Sequence, residues 1–106
     1  MARQSRVLTE TLTGARVLTA AEVTDNYIIV LDPGGAARNV DLPATSAALA
    51  GQEFKIINSA DAAEALTVRL TGGGATVATI DQNEHAILTC SSSTAGSWVG
   101  MVSKAT

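Results

Sequence analysis

Aromatic and reactive side chains are scarce in this sequence. It contains one Phe, one Tyr, one Trp, one His and one Cys among 106 residues. A single cysteine excludes a disulfide within the chain, and a single histidine leaves few groups for nucleophilic catalysis or zinc binding. Alanine supplies 19 of the apolar residues and buries little area. We therefore expect a thin core that gains from burying a further face against copies of the chain.

Long apolar runs and a strong excess of positive charge are also missing. No stretch approaches the roughly 20 apolar residues of a membrane span. The opening MARQSRVLTE lacks the apolar region of a signal peptide, so we expect a protein made in a reducing cytoplasm. Residues 1–20 hold three Arg against one Glu, whereas the remainder holds four cations against nine acids. This acidic remainder argues against nucleic acid as a ligand, because phosphate binding requires clustered Lys and Arg.

Short alternating segments bounded by turn residues predict strands. They lie at residues 26–32, 38–42, 52–58, 65–70, 76–80, 85–90 and 98–102. The first, NYIIVLD, is almost continuously apolar, as in a strand that is covered on both faces. ATSAALAG is the one helix candidate, a single turn closed by Gly51. The pattern predicts an all-β body at residues 26–106, an antiparallel sandwich or barrel of about seven or eight short strands.

Residues 1–25 follow a different pattern. Two Val-Leu-Thr segments, at residues 7–9 and 17–19, belong to a Thr-rich stretch that favours extended chain. This stretch fits either a hairpin that turns at Gly14 or an extended arm that pairs with a neighbouring subunit. Its basic charge suits an acidic protein surface, and a solvated tail is the simpler alternative. We predict an extended N-terminal arm at residues 1–25.

Two glycine-rich loops raise the question of a phosphate site. In LDPGGAARNVDLPA a strand pattern follows the loop, whereas phosphate loops lead into a helix whose amides meet the anion. Pro33 suits the second position of a turn, and Gly34 or Gly35 supplies a positive φ. We therefore predict hairpin corners here and at TGGGA, residues 71–75.

The reactive residues form no catalytic pattern. His85 and Cys90 are five residues apart on one predicted strand, so their side chains point to opposite faces. The acids stand mostly at turns, where a carboxylate accepts hydrogen bonds from backbone amides. We predict no enzyme activity, no cofactor and no metal site. Of the aromatic residues, Phe54 suits the core, whereas Tyr27 and Trp98 adjoin polar loops and suit half-exposed contacts between subunits.

Four motifs follow one another between residues 26 and 102. They are YIIVLDPGGAARNVDLPA, GQEFKIINSADAAEALTV, ATIDQNEHAILTC and SWVG. They combine Tyr, an Asp-Pro-Gly-Gly corner, Arg-x-Val-x-Leu-Pro, Gln-x-Phe-x-Ile-x-Asn, an Ala-Asp turn, Gln-Asn-Glu and Trp-x-Gly. This order resembles a β-rich module of tailed-bacteriophage virion proteins, which occurs in head decoration (cement) proteins and in head or tail fibres.

The resemblance implies a structural virion protein that is commonly trimeric. Because little chain lies outside the matched region, we expect a decoration protein that binds the major capsid protein on the phage head and stabilises the shell. We expect the arm to make that contact through Arg3, Arg6, Val7, Leu8, Leu12 and Arg16. Tyr27 and Trp98 are candidate contacts between subunits. The alternative is a receptor- or glycan-binding module of a fibre, with exposed Tyr27 or Trp98.

Overall fold

The computed structural model describes residues 6–104, which form nine strands and one short helix. In chain order they are β1 (Val7–Thr11), β2 (Arg16–Val17), α1 (Ala20–Asp25), β3 (Ile28–Asp32), β4 (Arg38–Asp41), β5 (Glu53–Asn58), β6 (Leu66–Arg69), β7 (Thr76–Ile80), β8 (Glu84–Cys90) and β9 (Trp98–Lys104). The fold is all-β, which confirms what the period-two alternation of the sequence predicts.

The strands form two sheets around one core. Sheet A has the order β1-β3-β5-β8-β9, and sheet B has the order β2-β4-β6-β7. β1, β3 and β5 run parallel, as do β2, β4 and β6. β7, β8 and β9 add antiparallel pairs, and the described strands form no closed barrel. The predicted antiparallel arrangement is therefore wrong for the pairs that β1 to β6 form with one another, because alternation reports which face a strand buries and not its direction.

Three successive strand pairs stack like turns of a parallel β-helix. β1–β2, β3–β4 and β5–β6 each contribute one strand to sheet A and one to sheet B. In sheet A, Val7 lies beside Ile28 and Ile28 lies beside Lys55, which are 21 and 27 residues apart in the chain. Because the turns differ in length, they leave no fixed-period repeat in the sequence.

The core lies between the inner faces of the two sheets, where alternate residues of each strand are buried. The Trp98 ring meets Phe54 edge-on, with 5.7 Å between the ring centroids. Its indole N–H donates a hydrogen bond of 2.9 Å to the carbonyl oxygen of Pro43. Trp98 is only 4% exposed, so the predicted half-exposed position is wrong. The residue sits at an inward position of β9, where a large ring fills the space between the sheets.

Residues 6–25 belong to this same core. β1 pairs with β3 in sheet A, and β2 pairs with β4 in sheet B. Leu12, Leu18 and Val23 are 3%, 1% and 0% exposed. The predicted arm is therefore wrong for residues 6–25, because these apolar side chains complete the core at the first strand pair. The hairpin alternative is wrong as well, since β1 and β2 lie in different sheets.

α1 is an element that the sequence analysis misses. It begins with a capping box, in which Thr19 accepts a hydrogen bond from the Glu22 amide and the Glu22 carboxylate accepts one from the Thr19 amide. The helix has six residues, too few to show helical periodicity. The predicted helix candidate at residues 44–51 forms a single turn, with Ala50 N–H donating to the Ser46 carbonyl. In the described part of the chain, no helix combines the length and hydrophobicity that a membrane crossing requires.

The Asp-Pro-Gly-Gly corner carries the chain from one sheet to the other. β3 belongs to sheet A and β4 to sheet B, so the prediction of a hairpin is wrong here. Gly34 has a φ of +76°, and a Cβ atom on it would lie 2.1 Å from the Leu12 carbonyl oxygen. This glycine therefore permits both the turn and the close approach of the corner to the end of β1. The TGGGA loop does connect an antiparallel hairpin, β6–β7, as predicted.

Candidate interaction surface

The side of sheet A that points away from the core carries at least one apolar side chain on each of its five strands. Its apolar side chains are Val7, Ile28, Val30, Ile57, Ile87, Val99 and Met101. We call this surface the outer face of sheet A. Val99 and Met101, on the edge strand β9, are 55% and 68% exposed. A contiguous apolar patch of this kind marks a site of protein contact.

Strand register aligns these side chains in rows. One row contains Val7, Ile28, Lys55, Ile87 and Met101, and the next contains Thr9, Val30, Ile57, His85 and Ser103. Neighbouring side chains in such rows lie about 4.5–5.5 Å apart. Apolar side chains therefore occupy the first row except at Lys55 on the central strand, and they occupy the second row at Val30 and Ile57.

Two charged residues, Glu53 and Lys55, lie in the middle of the outer face of sheet A. Both belong to the central strand β5 and are partly buried by their neighbours. Neither forms a salt bridge within residues 6–104. Beside Glu53 lies a shallow groove of about 370 Å³, lined also by Ile87, Thr89, Val99, Gly100 and Met101. The face thus combines an apolar surface with one uncompensated anion and one uncompensated cation.

The corresponding side of sheet B is polar. Its outward residues include Asn39, Asp41, Thr67, Arg69 and Thr79. The Nε of Arg69 donates a hydrogen bond of 2.8 Å to the Asp41 carboxylate, so its central charges are paired within the chain. Val17, on the short edge strand β2, is the exposed apolar residue beside them. This side is suited to water.

β1 is an edge strand with one unpaired side. Leu12 N–H donates to the Asp32 carbonyl at 2.8 Å, so even-numbered residues direct their main-chain groups toward β3. In a parallel pair, the alternate residues direct both main-chain groups to the opposite side. Here those residues are Val7, Thr9 and Thr11. Free groups on a strand edge accept an additional strand.

An ionic network connects the two sheets at this end of the molecule. Arg16 of β2 donates hydrogen bonds to Glu10 of β1, at 2.9 Å, and to Glu22 of α1. The hydrogen bond from Arg16 holds the pKa of the Glu22 carboxyl below its usual value. Hydrogen bonds to Glu22 and Glu10 raise the pKa of Arg16. The Arg16 guanidinium group is therefore paired with carboxylates of the same chain.

The predicted capsid-contact residues divide into two groups. Three are engaged inside the chain: Leu8, Leu12 and Arg16. Since the core and the ionic network hold them, the prediction that they reach outward is wrong. Arg6 and Val7 are exposed at the start of β1, and their contact with a capsid protein stays a prediction. Arg3 lies outside the described residues.

The candidate subunit contacts differ in their access to the surface. Trp98 is occupied by Phe54 and Pro43 in the core. Tyr27 is partly buried between α1 and β3, and its carbonyl accepts a hydrogen bond of 2.7 Å from the Lys55 amide. The surface that sequence reasoning misses is the outer face of sheet A. Its signal is present in NYIIVLD and in WVGMV, where apolar residues occupy both faces of a strand.

The reactive side chains are dispersed. His85 and Cys90 lie on opposite faces of β8, which confirms the prediction from their spacing. Cys90 is fully buried, and its Sγ donates to the Ser92 carbonyl. His85 is partly exposed on the outer face of sheet A. The two side chains are therefore separated by the sheet.

Three carboxylates converge beside the Asp-Pro-Gly-Gly corner. Oxygen atoms of Asp32, Asp61 and Glu64 lie within 4.8 Å of one another, which is a composition that a cation could use. Asp32 accepts a hydrogen bond from the Gly34 amide, and Glu64 accepts one from the Gly35 amide. These two carboxylates thus hold the backbone of the corner. The sequence does not reveal this convergence, because Asp32 ends β3 whereas Asp61 and Glu64 lie about 30 residues later, in the connection between β5 and β6.

A scan of protein-family models returns no match for this chain, and searches of curated proteins and of solved structures return none either. The fold and its surfaces therefore define the class directly. It is a two-sheet all-β protein in which the outer face of sheet A is more apolar than that of sheet B, and β1 is one of the edge strands of sheet A.

Proposed function

We propose that this chain is a structural protein of a tailed-bacteriophage particle. In this proposal it is a decoration protein that binds the outside of the head as a homotrimer and stabilises the shell. The observation that carries the proposal is the open edge of β1, which presents unpaired main-chain groups beside the exposed Arg6 and Val7. Such an edge binds an extended segment of another protein by adding it as a strand. The phage-module motifs in residues 26–102 support the same role.

The proposed contact reverses the roles of the two partners. The sequence alone predicts an arm that extends from this chain, whereas residues 6–25 form part of its core. The capsid protein would instead supply the extended segment, and β1 would receive it. Three copies in a trimer would strengthen a weak contact through effective concentration. Binding only to the assembled head would shift the assembly equilibrium toward the shell.

The alternative functions have less support. Glycan binding by stacked aromatic rings needs exposed rings, and Trp98 is in the core. Nucleophilic catalysis needs adjacent groups, and β8 separates His85 from Cys90.

Blocking the β1 edge tests the proposal. Thr9→Pro removes an outward N–H, a change that an edge strand tolerates because that group has no partner among residues 6–104. We expect at least a tenfold loss of affinity in co-sedimentation with empty heads of the phage that encodes the chain. Thr9→Val, which keeps the N–H, is the matched control and should bind as the wild type does. Equal sedimentation of folded Thr9→Pro and wild type would contradict strand addition.

A further inference from the structure

We propose that the outer face of sheet A is covered by the same face of other copies of this chain. The inference rests on the homotrimer in the proposed function and identifies the surface that forms it. It does not depend on the contact with the head, which involves the β1 edge.

The first argument is that apolar residues occupy both faces of a strand in sheet A. A sheet with one solvated face alternates apolar and polar residues, whereas strands buried on both faces are continuously apolar. β3 reads Ile-Ile-Val-Leu, and within the chain only Ile29 and Leu31 reach the core. Ile28 and Val30 point outward. The sequence of β3 therefore matches a sheet covered on its second side.

The second argument is the size of the face. Five strands at about 4.8 Å spacing, each about five residues long, give a footprint of about 24 by 16 Å, or roughly 400 Å². One such face per copy is about half of the roughly 800 Å² per partner of a standard interface, so a single face-to-face contact is small. Each copy buries the same area in a dimer and in a trimer, so the number of copies is taken from the proposed function and not from the size of the face.

The third argument is charge. Glu53 and Lys55 are two residues apart on β5, and neither is paired within the described chain. A lipid or a purely apolar ligand would leave both charges buried without a partner, which is costly. A symmetry-related copy brings a carboxylate to each ammonium group and an ammonium group to each carboxylate. The face is therefore complementary to itself in charge as well as in hydrophobicity.

Reversing each charge tests this complementarity. In Glu53→Lys the centre of the face carries two cations, and in Lys55→Glu it carries two anions. We expect each single variant to lose self-association at least tenfold, as measured by light scattering during size exclusion and by analytical ultracentrifugation. The double variant Glu53→Lys/Lys55→Glu restores opposite charges on every copy and should associate as the wild type does. An equimolar mixture of the two single variants should associate more than either variant alone and less than the wild type, because a ring of three made from both always leaves one contact between like-charged copies.

Two further variants show whether association depends on the outer face of sheet A or on another part of the surface. Met101→Lys places a charge on the exposed edge of the outer face of sheet A and should also weaken association at least tenfold. Thr79→Lys adds the same charge to the outer side of sheet B and is the matched control, with no expected effect. Far-ultraviolet circular dichroism and the urea midpoint show whether each variant is folded.

The outcomes distinguish this inference from the proposed function. A wild-type mass near three times 10.8 kDa, with the charge-dependent pattern above, supports both the face and the trimer. A dimer with the same pattern supports the face and contradicts the trimer. A monomeric wild type, or an oligomer that none of these folded variants disturbs, overturns the inference. Head binding by such a protein would leave the contact through β1 intact.

Discussion

The outer sides of the two sheets differ, although their inner faces are alike. Both inner faces carry fully buried aliphatic residues, such as Ile56 in sheet A and Val68 in sheet B. Outside, sheet A presents branched aliphatic side chains, whereas sheet B presents Thr, Asn and an Arg69–Asp41 ion pair. Folding of one chain requires only the inner faces. This difference outside is the basis of our proposal that other copies of the chain cover sheet A, whereas sheet B faces water.

The largest expected effect comes from replacing one of two adjacent isoleucines on β5, which lie on opposite faces of sheet A. Ile56 is fully buried on the inner face, and Ile57 lies on the outer face. Ile56→Ala should lower the free energy of unfolding by about 3–4 kcal/mol, because it leaves a cavity in the core. Ile57→Ala should cost less than about 1 kcal/mol. Urea denaturation in the Lys55→Glu background, where we expect a monomer, measures both. Equal losses would show that the outer face contributes to the core of a single chain.

The Asn58 side chain links the two sheets by hydrogen bonds, and its removal should have the next largest effect. Its side-chain amide donates to the carbonyls of Glu64 and Ile80, and its Oδ1 accepts from the Ala60 amide. Asn58 is 1% exposed, so Asn58→Ala would leave several buried groups without partners and should cost about 3 kcal/mol. Asn39→Ala, on the outer side of sheet B, is the control and should cost less than about 0.5 kcal/mol. Similar urea midpoints for the two variants would refute the link.

The ionic network of Arg16, Glu10 and Glu22 is the second connection between the sheets, and Glu22→Gln tests its contribution to stability. The folded-state pKa of Glu22 lies below its ordinary value of 4.5, so its contribution is complete above that value and disappears as pH falls through the lowered pKa. Because the pair is partly exposed, we expect Glu22→Gln to cost about 1 kcal/mol at pH 7. Urea denaturation should give converging stabilities for wild type and variant as the solution is acidified toward pH 3.

A double-mutant cycle checks the cause of this pH dependence. In the Arg16→Gln background, Glu22→Gln should have almost no effect at pH 7, because the cation that stabilises the carboxylate is gone. An undiminished effect in that background would assign the stabilisation to the capping box of α1 instead.

The smallest effect belongs to the outer side of sheet B. Arg69→Met breaks the ion pair with Asp41 and should cost about 0.5 kcal/mol, because both charges remain near water. The loss should shrink further at high salt, as measured by thermal unfolding. A loss of more than about 2 kcal/mol would mean that sheet B, like sheet A, is covered on its outer side.

Local patterns predict individual strands well in this chain. Residues 76–80 are predicted as a strand and form β7, and residues 85–90 fall within β8. Alternation also predicts that Phe54 and Ile56 share a face, and both are buried. These predictions succeed because the side-chain period of a strand is a property of neighbouring residues.

Patterns at the N-terminal end mislead for a physical reason. β1 has five residues, two of them Thr, and β2 has only two residues, so nothing local distinguishes an arm from a strand that pairs within the chain. Leu12 and Leu18 become core residues only because β3 and β4 provide partners for β1 and β2. The candidate interaction surface depends in the same way on five strands that come from distant parts of the chain.

The sequence by itself determined that the protein is all-β, where most strands lie and which side chains alternate, because these properties depend on residues a few positions apart. Only the tertiary structure decided that the first six strands stack in parallel, that residues 6–25 join the core and that Trp98 is buried. It also decided that most of the apolar side chains left outside the core lie on sheet A. These features arise from pairings between distant strands, whose free energy depends on the packing of the whole chain and not on any local pattern.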